Sequence, residues 1–174
     1  MRIQDLTSWT GNKYTMDCPE YTTVMLPARI AVGIERRTCN ADGRCLQDIP
    51  ACWQEFLATN AAARIHHRII QPVMYAVYSD YTSDWTGEYS YLLGCGVTNA
   101  ATQKKGLSVR HIPAQKYAVF HARGPMPDAV VGVWGGIWGS DLPRKYSCDF
   151  EVYDSRFTDK KNPEVDICVG IRDI

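Results

Sequence analysis

The chain repeats itself in outline, and a long repeat present in two copies limits the folds open to it. Leu26-Pro27-Ala28, followed by Arg29-Ile30-Ala31-Val32, returns as Ile112-Pro113-Ala114 followed by Gln115-Lys116-Tyr117-Ala118-Val119. Tyr75-Ala76-Val77-Tyr78 returns as Phe150-Glu151-Val152-Tyr153, and Glu88-Tyr89-Ser90-Tyr91-Leu92-Leu93-Gly94 returns as Glu164-Val165-Asp166-Ile167-Cys168-Val169-Gly170. The order is kept and the insertions fall between the matches. Two copies are too few for a solenoid. The expectation is two like halves, about 20–98 and 107–174, facing each other across a pseudo-twofold axis with a cleft at the seam. At 174 residues the chain suits a single domain over 20–174, with 1–19 as an N-terminal arm.

Charge and composition exclude several functions. Lys+Arg and Asp+Glu cancel at 19 each, and no basic block is present, which disfavours direct nucleic-acid binding. No apolar run approaches the roughly 20 residues of a spanning helix, and Met1 to Ser8 lacks a signal peptide's apolar core. The reading is a cytoplasmic protein with no membrane partner. The seven cysteines include no Cys-x-x-Cys, and His66-His67 has no ligand at a useful spacing, so neither a disulfide framework nor a metal or other cofactor is expected.

Periodicity gives each half the order strand-strand-helix-strand-strand. In the first half, strands fall at 21–26, 29–36, 72–79 and 87–97, with a helix over 49–60 capped by Asp48. In the second, 107–112 and 115–122 form a strand pair around Pro113-Ala114. A helix capped by Asp128 runs to Trp138, and strands follow at 148–154 and 164–171. The fold class is α+β, an antiparallel sheet with two helices. The second helix carries Gly132, Gly135, Gly136 and Gly139. Either its backbone packs closely on the sheet, or a ligand lies against the glycines.

Alternation assigns faces. Phe150 and Val152 share one face of their strand, and Glu151 and Tyr153 share the other. If helices cover the apolar faces, the opposite faces meet in the seam and carry Met74, Ala76, Tyr78, Glu151 and Tyr153, joined by Tyr117 and Val119. The result is an aromatic cleft with a single carboxylate. Such a carboxylate either stays neutral with a raised pKa or finds a positive partner. An organic cation would supply that partner, with cation–π attraction from the rings. The alternative is that Glu151 points to solvent on a wet sheet face. Glu151 with Tyr153 also suits a general base with a hydrogen-bonding helper.

These segments, with Tyr78-Ser79-Asp80-Tyr81, Gly87-Glu88-Tyr89, Gly124-Pro125, Trp134-x-x-Ile137-Trp138 and Asp149-Phe150-Glu151-Val152-Tyr153, resemble the GyrI-like (gyrase-inhibitor-like) effector-binding domain. The resemblance spans about residue 20 to the C-terminus. It implies a duplicated fold with a ligand cleft at the pseudo-twofold axis. It also implies a cationic or amphipathic small-molecule ligand, contacted by a glutamate that corresponds to Glu151. Tyr78, Tyr117, Tyr153, Trp134 and Trp138 are the candidate aromatic wall, with Met74 and Ala76 beside them. Such domains often follow a helix-turn-helix in transcription regulators. About twenty residues before the first strand are too few for one, so a stand-alone member is expected, with a separate regulator or a topoisomerase as possible partner. Two alternatives stay open: a hydrolase of electrophilic cyclopropane compounds using Glu151, and a protein-binding gyrase inhibitor.

Overall fold

The structure, a computed structural model, describes residues 18–172. The strands are β1 (Tyr21–Leu26), β2 (Arg29–Cys39), β3 (Met74–Ser79), β4 (Glu88–Val97), β5 (Ser108–Ile112), β6 (Gln115–Arg123), β7 (Cys148–Tyr153) and β8 (Glu164–Gly170). The helices are α1 (Cys45–Ala58), a short α2 (Ala61–Arg64) and α3 (Asp128–Trp138), with a 3-10 turn at Ser155–Thr158. The expected arm over 1–19 lies outside the described residues except for Cys18 and Pro19.

All eight strands join one antiparallel sheet, ordered β1-β6-β8-β7-β3-β4-β2-β5. Replacing each strand of the first half by its counterpart in the second reverses this order, so the sheet has the pseudo-twofold symmetry that the repeat implies. The axis passes between the central strands β3 and β7.

One expected pairing is corrected. β5 does not pair with β6; it pairs with β2, and β1 pairs with β6. A two-residue hairpin turn needs positive φ at its centre, whereas Pro27 and Pro113 are locked near −65°. Neither link contains a positive-φ residue. The chain therefore runs on, and each half lends its first strand to the other.

That exchange also curls the sheet. In a flat sheet β1 and β2 would lie about 29 Å apart at roughly 4.8 Å per strand. The link from Leu26 to Arg29 spans no more than about 11 Å. The inner face of the curl buries Ala31, Tyr75, Val77, Leu92, Ile112, Tyr117, Phe150 and Cys168. Across this interior the guanidinium of Arg29 on β2 lies over the Phe150 ring of β7, 5.5 Å from its centroid.

Both helices pack on the outer face. Cys52 and Phe56 of α1 bury against Val32, Ile34, Tyr91 and Leu93. Val130, Trp134 and Ile137 of α3 bury against Ala118, Phe120, Val165 and Ile167. Register places Glu151 on this same outer face, opposite Ala76 and beside Ile167. This corrects the expectation that helices cover the Phe150–Val152 face. Curling encloses that face without a helix, an outcome that strand alternation does not encode.

Helix starts also differ from expectation. α1 begins at Cys45, so Asp48 lies in its first turn and does not cap it, and Pro50 lies inside the helix. α3 follows Pro127, with Asp128 as its first residue. Close packing of the α3 glycines on the sheet is not found. A Cβ on Gly132 or Gly135 would meet nothing within 4 Å, and one on Gly136 would meet Pro19, 2.5 Å from its Cγ.

Candidate functional site

The repeat equates Ala76 with Glu151 and Tyr78 with Tyr153. In the sheet Ala76 lies directly opposite Glu151. The acid therefore stands on the pseudo-twofold axis, and its own counterpart across the axis is a methyl group. The small Ala76 leaves room for the Glu151 side chain to rise between the helices.

Glu151 is 2% exposed. Its Oε1 accepts hydrogen bonds from Tyr78 Oη and from Trp134 Nε1, each at 2.7 Å, and its Oε2 accepts one from Tyr153 Oη at 2.6 Å. The two tyrosines are equivalent in the repeat and donate to different oxygens. Among the described residues no lysine, arginine or histidine pairs with this carboxylate. Burial raises its pKa above the ordinary 4.5, against the opposing pull of the hydrogen bonds from Tyr153, Trp134 and Tyr78. Burial and the neighbouring Glu151 charge push both tyrosine hydroxyls well above their usual value. They stay protonated and can only stabilise the ionised acid by donating.

The helices complete the site in the same symmetric manner. Trp134 of α3 packs on Tyr78 and Trp53 of α1 packs on Tyr153, each with ring centroids 5.1 Å apart. Symmetry ends at the indole N–H. Trp53 Nε1 donates to Tyr91 Oη at 2.9 Å. The counterpart of Tyr91 is Ile167, which has no acceptor, and Trp134 turns to Glu151 instead.

The sequence-predicted residues divide as follows. Glu151, Tyr153, Tyr78 and Trp134 form one hydrogen-bonded cluster. Ala76 and Met74 lie on the same face, opposite Glu151 and Tyr153. Trp138 stands one layer out, sandwiched between Trp134 and Trp85 with centroids 6.1 and 5.5 Å away. Tyr117 is not in the site, nor is Val119. Both face the inner side, where Tyr117 packs edge-on to Phe150 and donates to the Pro113 carbonyl. The repeat equates Tyr117 with Ala31, and both lie on the inner face, so the expectation failed in joining that face to the one that carries Glu151.

Trp53 and Tyr91 were missed. The signal for Trp53 was present: Trp53-Gln54-Glu55-Phe56 matches Trp134-Gly135-Gly136-Ile137. The seam is filled by its own side chains. Surface depressions lie elsewhere, one between Met25 and Arg172 and one around Arg29 and Tyr75.

Residues 22–171 match the family described as integron-associated effector binding protein. YobU of Bacillus subtilis (strain 168), a protein named for a regulatory role in transcription, is 28% identical over 144 residues, covering 80% of this chain and 90% of YobU. An integron cassette protein from the mobile metagenome of Vibrio cholerae superposes with a TM-score of 0.70 at 25% identity, covering 87% of this chain and 95% of that one. SAV2435, solved bound to tetraphenylphosphonium, shares the fold with a TM-score of 0.65 at 21% identity, covering 88% and 94%.

Proposed function

The chain belongs to the integron-associated effector binding protein family, and from that premise we propose that it binds lipophilic organic cations in the seam between α1 and α3, with Glu151 as counter-ion. The observation that carries this reading is the buried carboxylate on the axis, held by three neutral donors and, among the described residues, by no protein cation. An ionised carboxylate in such surroundings is costly without a positive partner. A cation supplies the charge, and Trp53, Tyr78, Trp134 and Tyr153 supply ring faces worth about 0.5–2 kcal/mol each. The solved relative that holds tetraphenylphosphonium, a lipophilic cation, supports the same ligand class.

Binding requires the aromatic filling to part, so a ligand takes the place of side chains now packed in the seam. Trp134 and Trp53 line the route and report on it. Titration of a cationic dye against tryptophan fluorescence should give at least tenfold weaker binding for Glu151→Gln than for the unsubstituted protein. Equal affinity would remove Glu151 as counter-ion.

A further inference from the structure

Asp149 precedes Glu151 by two residues on β7 and faces the same side, about 7 Å away along the strand. It differs from Glu151 in having a protein cation. Arg144 Nη2 donates to Asp149 Oδ2 at 2.7 Å, and the two side chains are only 3% and 0% exposed. Asp149 is otherwise satisfied, by Tyr81 Oη at 2.7 Å and by the Gly170 N–H at 2.8 Å.

Arg144 is not satisfied. Its Nε and Nη1 are buried and meet no hydrogen-bond acceptor among the described residues. The guanidinium sits among rings, with centroids of Tyr146, Trp134 and Tyr81 at 4.4, 5.7 and 6.0 Å. Rings attract its charge but do not replace acceptors for a planar fork of five N–H groups. A buried N–H left unmet carries its full desolvation penalty.

Trp134 is common to both centres. Its Nε1 is bound to Glu151, and its ring lies against Arg144. Displacing this one indole uncovers a carboxylate that has no cation among the described residues together with a guanidinium that has N–H groups to spare.

We propose that the ligand is bipolar: an organic cation that also carries an acceptor oxygen, with the cation on Glu151 and the oxygen on one of the two unmet N–H groups of Arg144, Nε or Nη1. This rests on Glu151 being the counter-ion. Arg144 then acts as a specificity determinant, rewarding cations that also carry a carbonyl or similar oxygen. Purely hydrocarbon cations enter but leave Arg144 unmet.

The test uses a matched pair of quaternary arylalkylammonium ions. One has a hydrocarbon chain, and the other carries a ketone carbonyl in place of one methylene of that chain. Titration calorimetry on the unsubstituted protein should give about tenfold tighter binding for the ketone, the gain expected of a hydrogen bond to a charged group. In Arg144→Lys that advantage should vanish while the hydrocarbon cation keeps its affinity within about twofold. In Glu151→Gln both ions should weaken. Equal affinity of the two ions for the unsubstituted protein overturns the proposal with no variant needed, as does an advantage that survives Arg144→Lys. If neither ion binds, the counter-ion reading fails as well. If the hydrocarbon ion binds and the oxygen adds nothing, only the role of Arg144 fails.

Discussion

A carboxylate pays heavily for leaving water, so burial raises the Glu151 pKa while hydrogen bonds from Tyr153, Trp134 and Tyr78 oppose the rise. The sign of the resulting pH dependence is fixed. The folded pKa of Glu151 lies above 4.5, so the unfolded chain releases this proton first. Glu151 therefore contributes stability that is full below 4.5 and is lost as pH rises through the folded value. Under the proposed counter-ion role, cation affinity runs the other way, because the ligand would need the ionised acid. Affinity should climb as pH rises past 4.5 and level off above the folded pKa, and Glu151→Gln should show a flat profile, both read by titrations across pH. Tyr153→Phe or Tyr78→Phe removes one hydrogen bond to the charged form, worth about 1.5–3 kcal/mol. The midpoint of the affinity profile should then move to higher pH; an unmoved midpoint would mean that these hydroxyls do not hold the charge.

At the scale of elements, α3 carries the cover of the site on a weak helix. Gly132, Gly135 and Gly136 each cost about 1 kcal/mol against alanine in a helix interior. A Cβ at Gly132 meets open space, whereas one at Gly136 strikes the Pro19 ring. Gly132→Ala should raise the melting temperature by about 2–4 °C, since about 1 kcal/mol shifts a domain of this size by that much. Gly136→Ala should lower stability by about 1–3 kcal/mol through overpacking. Thermal melts of the two variants check both signs. Although Asp128, expected as its cap, is its first residue, the position of α3 was legible from its apolar spacing. The purpose of its glycines was not, because the partner of Gly136 is a proline more than a hundred residues earlier. Local pattern likewise placed α1 without its first turn: Asp48 and Pro50 imitate a helix start, and the true start at Cys45 has no side-chain cap to mark it.

For the whole molecule, duplication sets both the fold and the place of the site. The repeat offset of β3 and β7 puts Ala76 and Glu151 on the axis, and symmetric Tyr78 and Tyr153 close over them from either side. Restoring symmetry should be harmful. Ala76→Glu would set a second carboxylate against the first in a fully buried position, where like charges cannot both ionise. It should destabilise the protein by more than about 3 kcal/mol, and by less at pH 5 than at pH 8, as urea melts at the two pH values would show. The repeat made this axis legible in the sequence, along with Glu151, Tyr78 and Tyr153, and the family resemblance added Trp134. It did not give the exchange of first strands or the curl, so it left Tyr117 on the wrong face and the helices over the wrong side. The Asp149–Arg144 pair escaped notice because Arg144 lies in a loop with no period to follow. The central claim, that an unpaired negative charge on the axis selects positive ligands, is tested most directly by the ligand's own charge. Tetraphenylphosphonium and its neutral isostere tetraphenylsilane differ in little else. Calorimetry with both, in a common cosolvent, should show the cation binding at least tenfold more tightly to the unsubstituted protein and the two binding alike to Glu151→Gln. Equal binding of both to the unsubstituted protein would contradict it.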